Sequence, residues 1–291
     1  MSSLAFGLRA ARPYQWAKNL LVFVPILLGH YWNAPGVWRP AMLCFAAFSA
    51  IASALYLLND LLDREADQKH PTKRLRPIAS GALPPAAAFS LCGILLVSGA
   101  AAAIFLPMET RWILAGYAAG SILYSTILKS YILVDVLALG TFYAVRVFAG
   151  GSATGIAISP WTLAFSMFMF LSIALAKRYV EVNRHGPSVR RGYREADAPV
   201  LLGLGIGTGL LAIQVLALYI SSPEIRLLYA RPEILWLMCP VMMCWIGRVW
   251  LLAGRGELND DPLMFALTDK GSYGTAAAAA IILTAATSLT R

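Results

Sequence analysis

The stretch "YLLNDLLDREADQKHPTKRLRPIASG", Tyr56–Gly81, places four acidic and five basic side chains between two long apolar runs. The chain as a whole is 59% hydrophobic and only 13% charged, with a mean hydropathy of +0.66. A soluble domain of 291 residues needs a polar surface, and the remaining sequence lacks the residues to build one. The flanking runs are long enough to cross ~30 Å of hydrocarbon with roughly 20 residues each. Most show no polar stripe of the kind an amphipathic soluble helix carries. The sequence therefore reads as an all-α integral membrane protein, and the quoted stretch as a loop between two spans.

Working outward from that loop gives nine expected spans, at 18–33, 38–58, 84–106, 110–128, 131–152, 160–180, 199–221, 232–252 and 272–290. Pro40, Pro84 with Pro85, Pro160, Pro199 and Pro232 lie near span starts, where a ring without an N–H costs nothing. The connections at 107–109 and 129–130 are short enough to imply tight antiparallel helix hairpins. Neither a linker nor an internal repeat divides the sequence, so residues 1–291 are expected to form one membrane domain.

Lys and Arg orient it. With nine spans, eighteen of the 24 basic residues fall on the side of the N-terminus, five on the other side, and Arg146 lies inside a span. The positive-inside rule puts the N-terminus and the charged loops in the cytoplasm. The net charge of +9 is thus read as membrane orientation, and no nucleic-acid partner is expected. The first run follows Arg9, Arg12 and Lys18 without a small-residue cleavage site and is expected to be an uncleaved helix. The four cysteines all fall in apolar runs and the three histidines are scattered, which argues against a Cys/His metal site.

The charged loop carries the chemistry. Asn59, Asp63 and Asp67 stand at i, i+4 and i+8, so a helix would align them on one face, with Asp60 adjacent. Oxygen donors stacked where a helix leaves the membrane call for a hard divalent cation such as Mg²⁺, which shares its shell with substrate phosphates. Pro71 then bends the chain and Lys73, Arg74 and Arg76 follow. Acid-held metal beside a basic loop is diphosphate-binding chemistry. A salt-bridged loop that only orients the protein would explain the cations but not the acids.

These residues, NDxxDxxxD followed by KRxxRPIxSG, resemble the first aspartate-rich motif of the UbiA superfamily of intramembrane prenyltransferases. The resemblance implies nine transmembrane helices around a central cavity, Mg²⁺ dependence, and metal ligation by Asn59, Asp63 and Asp67. Within the superfamily, "RPYQWAKN" (Arg12–Asn19), "RVFAGG" (Arg146–Gly151), "AKRYVEV" (Ala176–Val182) and "ELNDDPLMFALTDK" (Glu257–Lys270) are similar to the branch that moves 5-phosphoribose from phosphoribosyl diphosphate to polyprenyl phosphate. That likeness implies a multi-pass bacterial plasma-membrane enzyme with a cytoplasmic active site. Its product would be a precursor of lipid-linked arabinose for cell-envelope glycans. Prenyl chain length stays open, as does oligomeric state, a homo-oligomer being compatible.

The loop after the sixth span, "AKRYVEVNRHGPSVRRGYREAD", lacks the second set of spaced aspartates found in aromatic prenyltransferases of the superfamily. Its six basic residues suit a substrate with more phosphate, although they also suit membrane anchoring. Lys177, Arg178 and Glu181 are expected substrate contacts. Tyr124 and Lys129 resemble a diphosphate-contacting pair; the equal alternative is an interfacial tyrosine and a snorkelling lysine. Arg146, mid-span, should face a cavity or pair with a carboxylate; Asp135, about 16 Å along one helix, is too far away. Gln15, Lys18 and Asn19 either line the same mouth or anchor the first span. Asp260, Asp261 and Asp269 either cap the site or are solvated. Two rivals stand beside phosphoribosyl transfer: a polyprenyltransferase with an aromatic acceptor, and a transporter or lipid-binding protein.

Overall fold

A computed structural model describes residues 3–69, 73–185, 192–258, 262–266 and 268–287, and every regular element among them is helical. The elements are α1 (Ser3–Ala11), α2 (Val24–Leu28), α3 (Trp38–Leu62), α4 (Arg64–Gln68), α5 (Pro85–Ile104), α6 (Met108–Thr126) and α7 (Val134–Thr154). Beyond these lie α8 (Pro160–His185), α9 (Ala198–Ile220), α10 (Ile225–Leu228), α11 (Met238–Gly254), α12 (Pro262–Ala266) and α13 (Lys270–Thr287). Helical segments occur at all nine expected places. Six of them, α3, α5, α7, α8, α9 and α11, are long and apolar enough to cross a membrane by length and composition.

The first expected span departs most from a regular helix. Residues Pro13–Phe23 form a 3₁₀ run and only Val24–Leu28 turn α-helical. Arg12 enters this run in the left-handed region (φ 53°), and Pro25, the second residue of α2, offers no amide to continue an α ladder back into the run.

The chain folds as two compact units, Met1–Ile127 with Val145–Ile158, and Leu128–Ala144 with Ser159–Arg291. In the first, α3 is the central post against which α1, the 3₁₀ run, α5 and α6 pack. Its buried seam of Ala41, Cys44, Ala47, Ile51, Ala54 and Leu57 recurs at three- and four-residue spacing, so small residues let neighbouring helices approach closely. In the second, α8, α9 and α11 pack on one another. There the Ser172 hydroxyl donates to the Gly205 carbonyl (2.7 Å) and accepts from Trp250 Nε1 (3.1 Å), tying the three helices with polar contacts that lipid cannot replace.

Candidate active site

The acidic stretch keeps two helical hydrogen bonds across its break. Asp63 N donates to Asn59 O (2.9 Å) and Asp67 N to Asp63 O (2.8 Å), so the expected register holds. Yet α3 ends at Leu62, and Asp63 adopts φ −92°, ψ 4°, a bend before α4. The deeply buried carboxylates are Asp60 (2% exposed) and Asp67 (3%), while Asn59 and Asp63 are half-buried.

Both buried acids are held by arginine. One nitrogen of Arg76, Nη1, donates to Asp60 Oδ1 (2.9 Å) and to Asp67 Oδ2 (2.7 Å). Arg12 Nη2 donates to both oxygens of Asp60 (2.7 Å each), and its guanidinium lies 5.1 Å from the Tyr56 ring centroid. Removing carboxylates from water costs several kcal/mol per ion unless a cation and hydrogen bonds compensate; the two arginines supply the positive charge, three bonds to Asp60 and one to Asp67. The turn after α4 delivers Arg76. Ile78 is buried in a core with Ala54 and Leu57, Leu83 N donates to Pro77 O (2.8 Å), and Gly81 turns the chain at φ 80°. A cavity of about 320 Å³ opens here, lined by Arg9, Arg12, Tyr14, Asp60 and Arg76 among others. Lys73 is half-buried at its approach and Arg74 is exposed.

The donor set suits a hard divalent cation. Among the described residues no three Asp, Glu, His or Cys side chains converge tightly enough to hold a metal alone. Mg²⁺, however, normally takes one or two carboxylates and completes its shell with water and phosphate oxygens. Asp60 and Asp67 already converge on one cationic nitrogen, and Asn59 and Asp63 lie on the same two turns.

Deeper in this unit, Arg146 (4% exposed) donates Nε to Asn19 Oδ1 (2.8 Å) and Nη2 to the Tyr117 hydroxyl (3.0 Å), with the faces of Tyr117 and Phe48 against its guanidinium. Asn19 Nδ2 in turn donates to Ser49 Oγ (3.0 Å). Asn19 and Lys18 are thus buried parts of the packing. Gln15 is half-buried, and its Oε1 is buried without a hydrogen-bond partner among the described residues. In the "RVFAGG" segment, a Cβ on Gly150 would lie 2.0 Å from Val22 O, so glycine there lets α7 meet the 3₁₀ run backbone to backbone.

In the second unit Arg178 (1% exposed) pairs with Asp135 (2.5 Å) and with Glu181, and stacks over Tyr193. The Tyr193 hydroxyl donates to Asp135 Oδ1 (2.7 Å) and accepts from Leu133 N (2.8 Å). Burial, with the Asp135 carboxylate behind it, pushes the Tyr193 phenol above its ordinary pKa. Arg178 and Glu181, expected to face substrate, are engaged in a network in which Arg178 joins Glu181, Asp135 and Tyr193. Lys177 and Lys129 are half-buried in this unit, and Tyr124 is half-buried in the other. Asp269 caps α13 and pairs with Arg248, whereas Asp260, Asp261, Arg190, Arg191 and Pro71 lie outside the described residues.

Sequence reasoning missed Asp60 and Arg12 beside the cavity, and Tyr117 and Tyr193 as the partners of Arg146 and Asp135. A signal existed for the first: Asp60, Asp63 and Asp67 stand at i, i+3 and i+7, as good a helical stripe as the one chosen. The other three join by contacts far apart in sequence that no local pattern records.

A protein-family model described as the UbiA prenyltransferase family matches residues 22–268. An uncharacterised protein of Sinorhizobium fredii is 38% identical over 90% of this chain and 52% of its own length, so the chain spans about half of that relative. Nodulation protein NoeC of Azorhizobium caulinodans is 34% identical over 90% of this chain and 87% of its own. A decaprenyl-phosphate phosphoribosyltransferase of Mycobacterium tuberculosis is 36% identical over 63% of each chain. Among solved structures, a UbiA homologue from Archaeoglobus fulgidus bound to DMAPP and Mg²⁺ superposes with a TM-score of 0.72 at 16% identity, covering 98% of this chain and 99% of that one.

Proposed function

Because the chain belongs to the UbiA prenyltransferase family and is a multi-pass membrane protein, we propose that it transfers 5-phosphoribose from phosphoribosyl diphosphate to a polyprenyl phosphate. The observation that carries this reading is the pair of buried carboxylates, Asp60 and Asp67, held by two arginines beside a cavity lined with three. Such a place suits a metal-bound diphosphate. The likeness to a phosphoribosyltransferase and the basic loop after α8 favour the phosphoribosyl donor over a prenyl diphosphate.

Asn59, Asp63 and Asp67, joined by Asp60, would hold Mg²⁺, which when bound neutralises charge building on the diphosphate. Lys73, Arg74 and Arg76 draw the anionic donor to the mouth and offset its remaining charge. Gln15, whose side-chain carbonyl is buried without a hydrogen-bond partner among the described residues, is a further proposed substrate contact. An oxygen of the lipid phosphate attacks C1, the bond from C1 to the diphosphate oxygen breaks, and diphosphate leaves with its electron pair. A phosphate monoester is already anionic near pH 7, so no general base is needed, in keeping with the scattered histidines. Catalysis then rests on positioning and on charge stabilisation in a water-poor site. Lys129 and Lys177 are proposed substrate contacts in their own unit. A plasma-membrane location with the site facing the cytoplasm belongs to the same proposal.

Two mixtures test it in detergent or liposomes: labelled phosphoribosyl diphosphate with polyprenyl phosphate, and prenyl diphosphate with 4-hydroxybenzoate. Product from the first alone is expected, with Asp67→Asn reducing it by about 10²–10³-fold. Product from the second alone transfers the assignment to aromatic prenylation; none from either, with metal-independent ligand binding, supports the transporter reading.

A further inference from the structure

We infer that Arg76 and Arg12 are exchange residues, which neutralise the buried carboxylates until a divalent cation takes over and are thereby released to bind phosphate. This rests on the metal reading proposed above and adds that metal and diphosphate bind as a coupled pair.

The geometry points to competition for the same oxygens. A single nitrogen of Arg76 lies 2.9 Å from Asp60 Oδ1 and 2.7 Å from Asp67 Oδ2, so one positive group joins two carboxylates as a cation would. Arg12 uses one nitrogen on both oxygens of Asp60, which leaves the lone pairs of that carboxylate largely committed. A metal ion drawing on Asp60 must therefore displace guanidinium, and one drawing on Asp67 Oδ2 competes with Arg76 for that oxygen. The displaced groups already line the 320 Å³ cavity with Arg9, so once released they stand at the space a phosphate group would enter. Arg12 also holds a left-handed backbone (φ 53°, ψ 58°) that a non-glycine residue adopts only when its surroundings impose it. The bonds to Asp60 and the Tyr56 stacking are contacts that hold it there.

Coupling follows from charge. Metal alone is opposed by two resident cations, and diphosphate alone meets arginines already satisfied by carboxylates. Together the two ligands satisfy all four side chains. By linkage each must tighten the other equally, and such coupling typically amounts to roughly 5–150-fold.

The test is direct binding of Mn²⁺ to the full-length protein in detergent, followed by electron paramagnetic resonance of the free ion, with and without inorganic diphosphate. In the wild type, diphosphate should tighten Mn²⁺ by roughly 5–150-fold. In Arg76→Gln, Mn²⁺ alone should bind at least about tenfold tighter than in the wild type, since the competing cation is gone, while the tightening by diphosphate shrinks. The thermal midpoint of Arg76→Gln should fall without metal and rise further on adding Mn²⁺ than that of the wild type. Arg12→Gln, which leaves Arg76 in place, should shift Mn²⁺ affinity the same way by less, and serves if Arg76→Gln does not fold. If Asp67→Asn abolishes Mn²⁺ binding but neither arginine variant binds Mn²⁺ more tightly than the wild type, exchange is overturned and the metal reading stands. If the wild type binds no Mn²⁺ with or without diphosphate, both fall.

Discussion

Asp269 performs two tasks with one carboxylate. Its Oδ2 accepts from the backbone N of Ser272 (2.8 Å), capping the first turn of α13, and the two oxygens take the fork of Arg248 at 2.5 and 3.0 Å. The hydrogen bond from Arg248 is the main cause that lowers the Asp269 pKa, against the opposing effect of partial burial. A carboxylate whose folded pKa lies below its unfolded value, about 3.9, adds stability in full above that value and loses it as pH falls through the folded pKa. Asp269→Asn should therefore lower the thermal midpoint equally at pH 8 and pH 5, and the difference should close only below about pH 4. Asparagine caps as well as aspartate, so the substitution reports the ion pair, worth at most about 1 kcal/mol because Arg248 is 42% exposed. A difference that persists at pH 3 would show that the pair is not its source. At this scale legibility was uneven. The acidic stretch announced itself, but weighing Asp60 against Asn59 required knowing which face Arg12 and Arg76 occupy, and Arg12 stands 48 residues from Asp60.

Helices are where sequence and structure agree best, and their ends show why agreement stops. The span expected at 160–180 is the helix Pro160–His185: hydropathy marks where a membrane would end, whereas the backbone ladder runs on past residue 180 through Glu181 to His185. The run after Arg12 looked the same as the others in hydropathy, yet Pro25 lies inside it and the chain before it folds as 3₁₀ helix. Packing between helices rests on glycines that the sequence does not rank. In α9, a Cβ on Gly205 would lie 2.0 Å from the Trp250 ring, whereas one on Gly203, two residues earlier, meets nothing within 4 Å. Gly205→Ala should push Trp250 from its place, break its bond to Ser172 and cost about 1–3 kcal/mol. Gly203→Ala should be neutral or stabilising by up to about 1 kcal/mol, through helix propensity. Thermal midpoints together with the tryptophan emission of the two variants check both; equal behaviour would mean that the α9–α11 contact is looser than drawn.

For the whole molecule the open quantity is the number of crossings, and it turns on α6. This helix is not among the six that length and apolarity alone mark as spans, yet its 19 residues reach about 28 Å, close to a bilayer core. Its charges are confined to the first turn: Glu109 stands there, and Arg111 donates to the carbonyls of Leu106 (2.9 Å) and Ile104 (2.7 Å) at the end of α5. Polar groups at a helix end cost little because they sit at the interface rather than in hydrocarbon. Only three residues, Phe105–Pro107, separate α5 from α6, which leaves too little chain for α6 to run anywhere but back alongside its neighbour. If α5 crosses, α6 crosses back. Between Ser80 and Glu224 there would then be five crossings, α5 to α9, and the two residues lie on opposite faces; without α6 there are four, and they share a face. Both positions are exposed. In a cysteine-free background, Ser80→Cys should be labelled by a membrane-impermeant maleimide only from the cytoplasmic side, and Glu224→Cys only from the other. Labelling of both from one side would remove α6 from the membrane and, with it, the nine-span arrangement and the charge asymmetry that orients the protein.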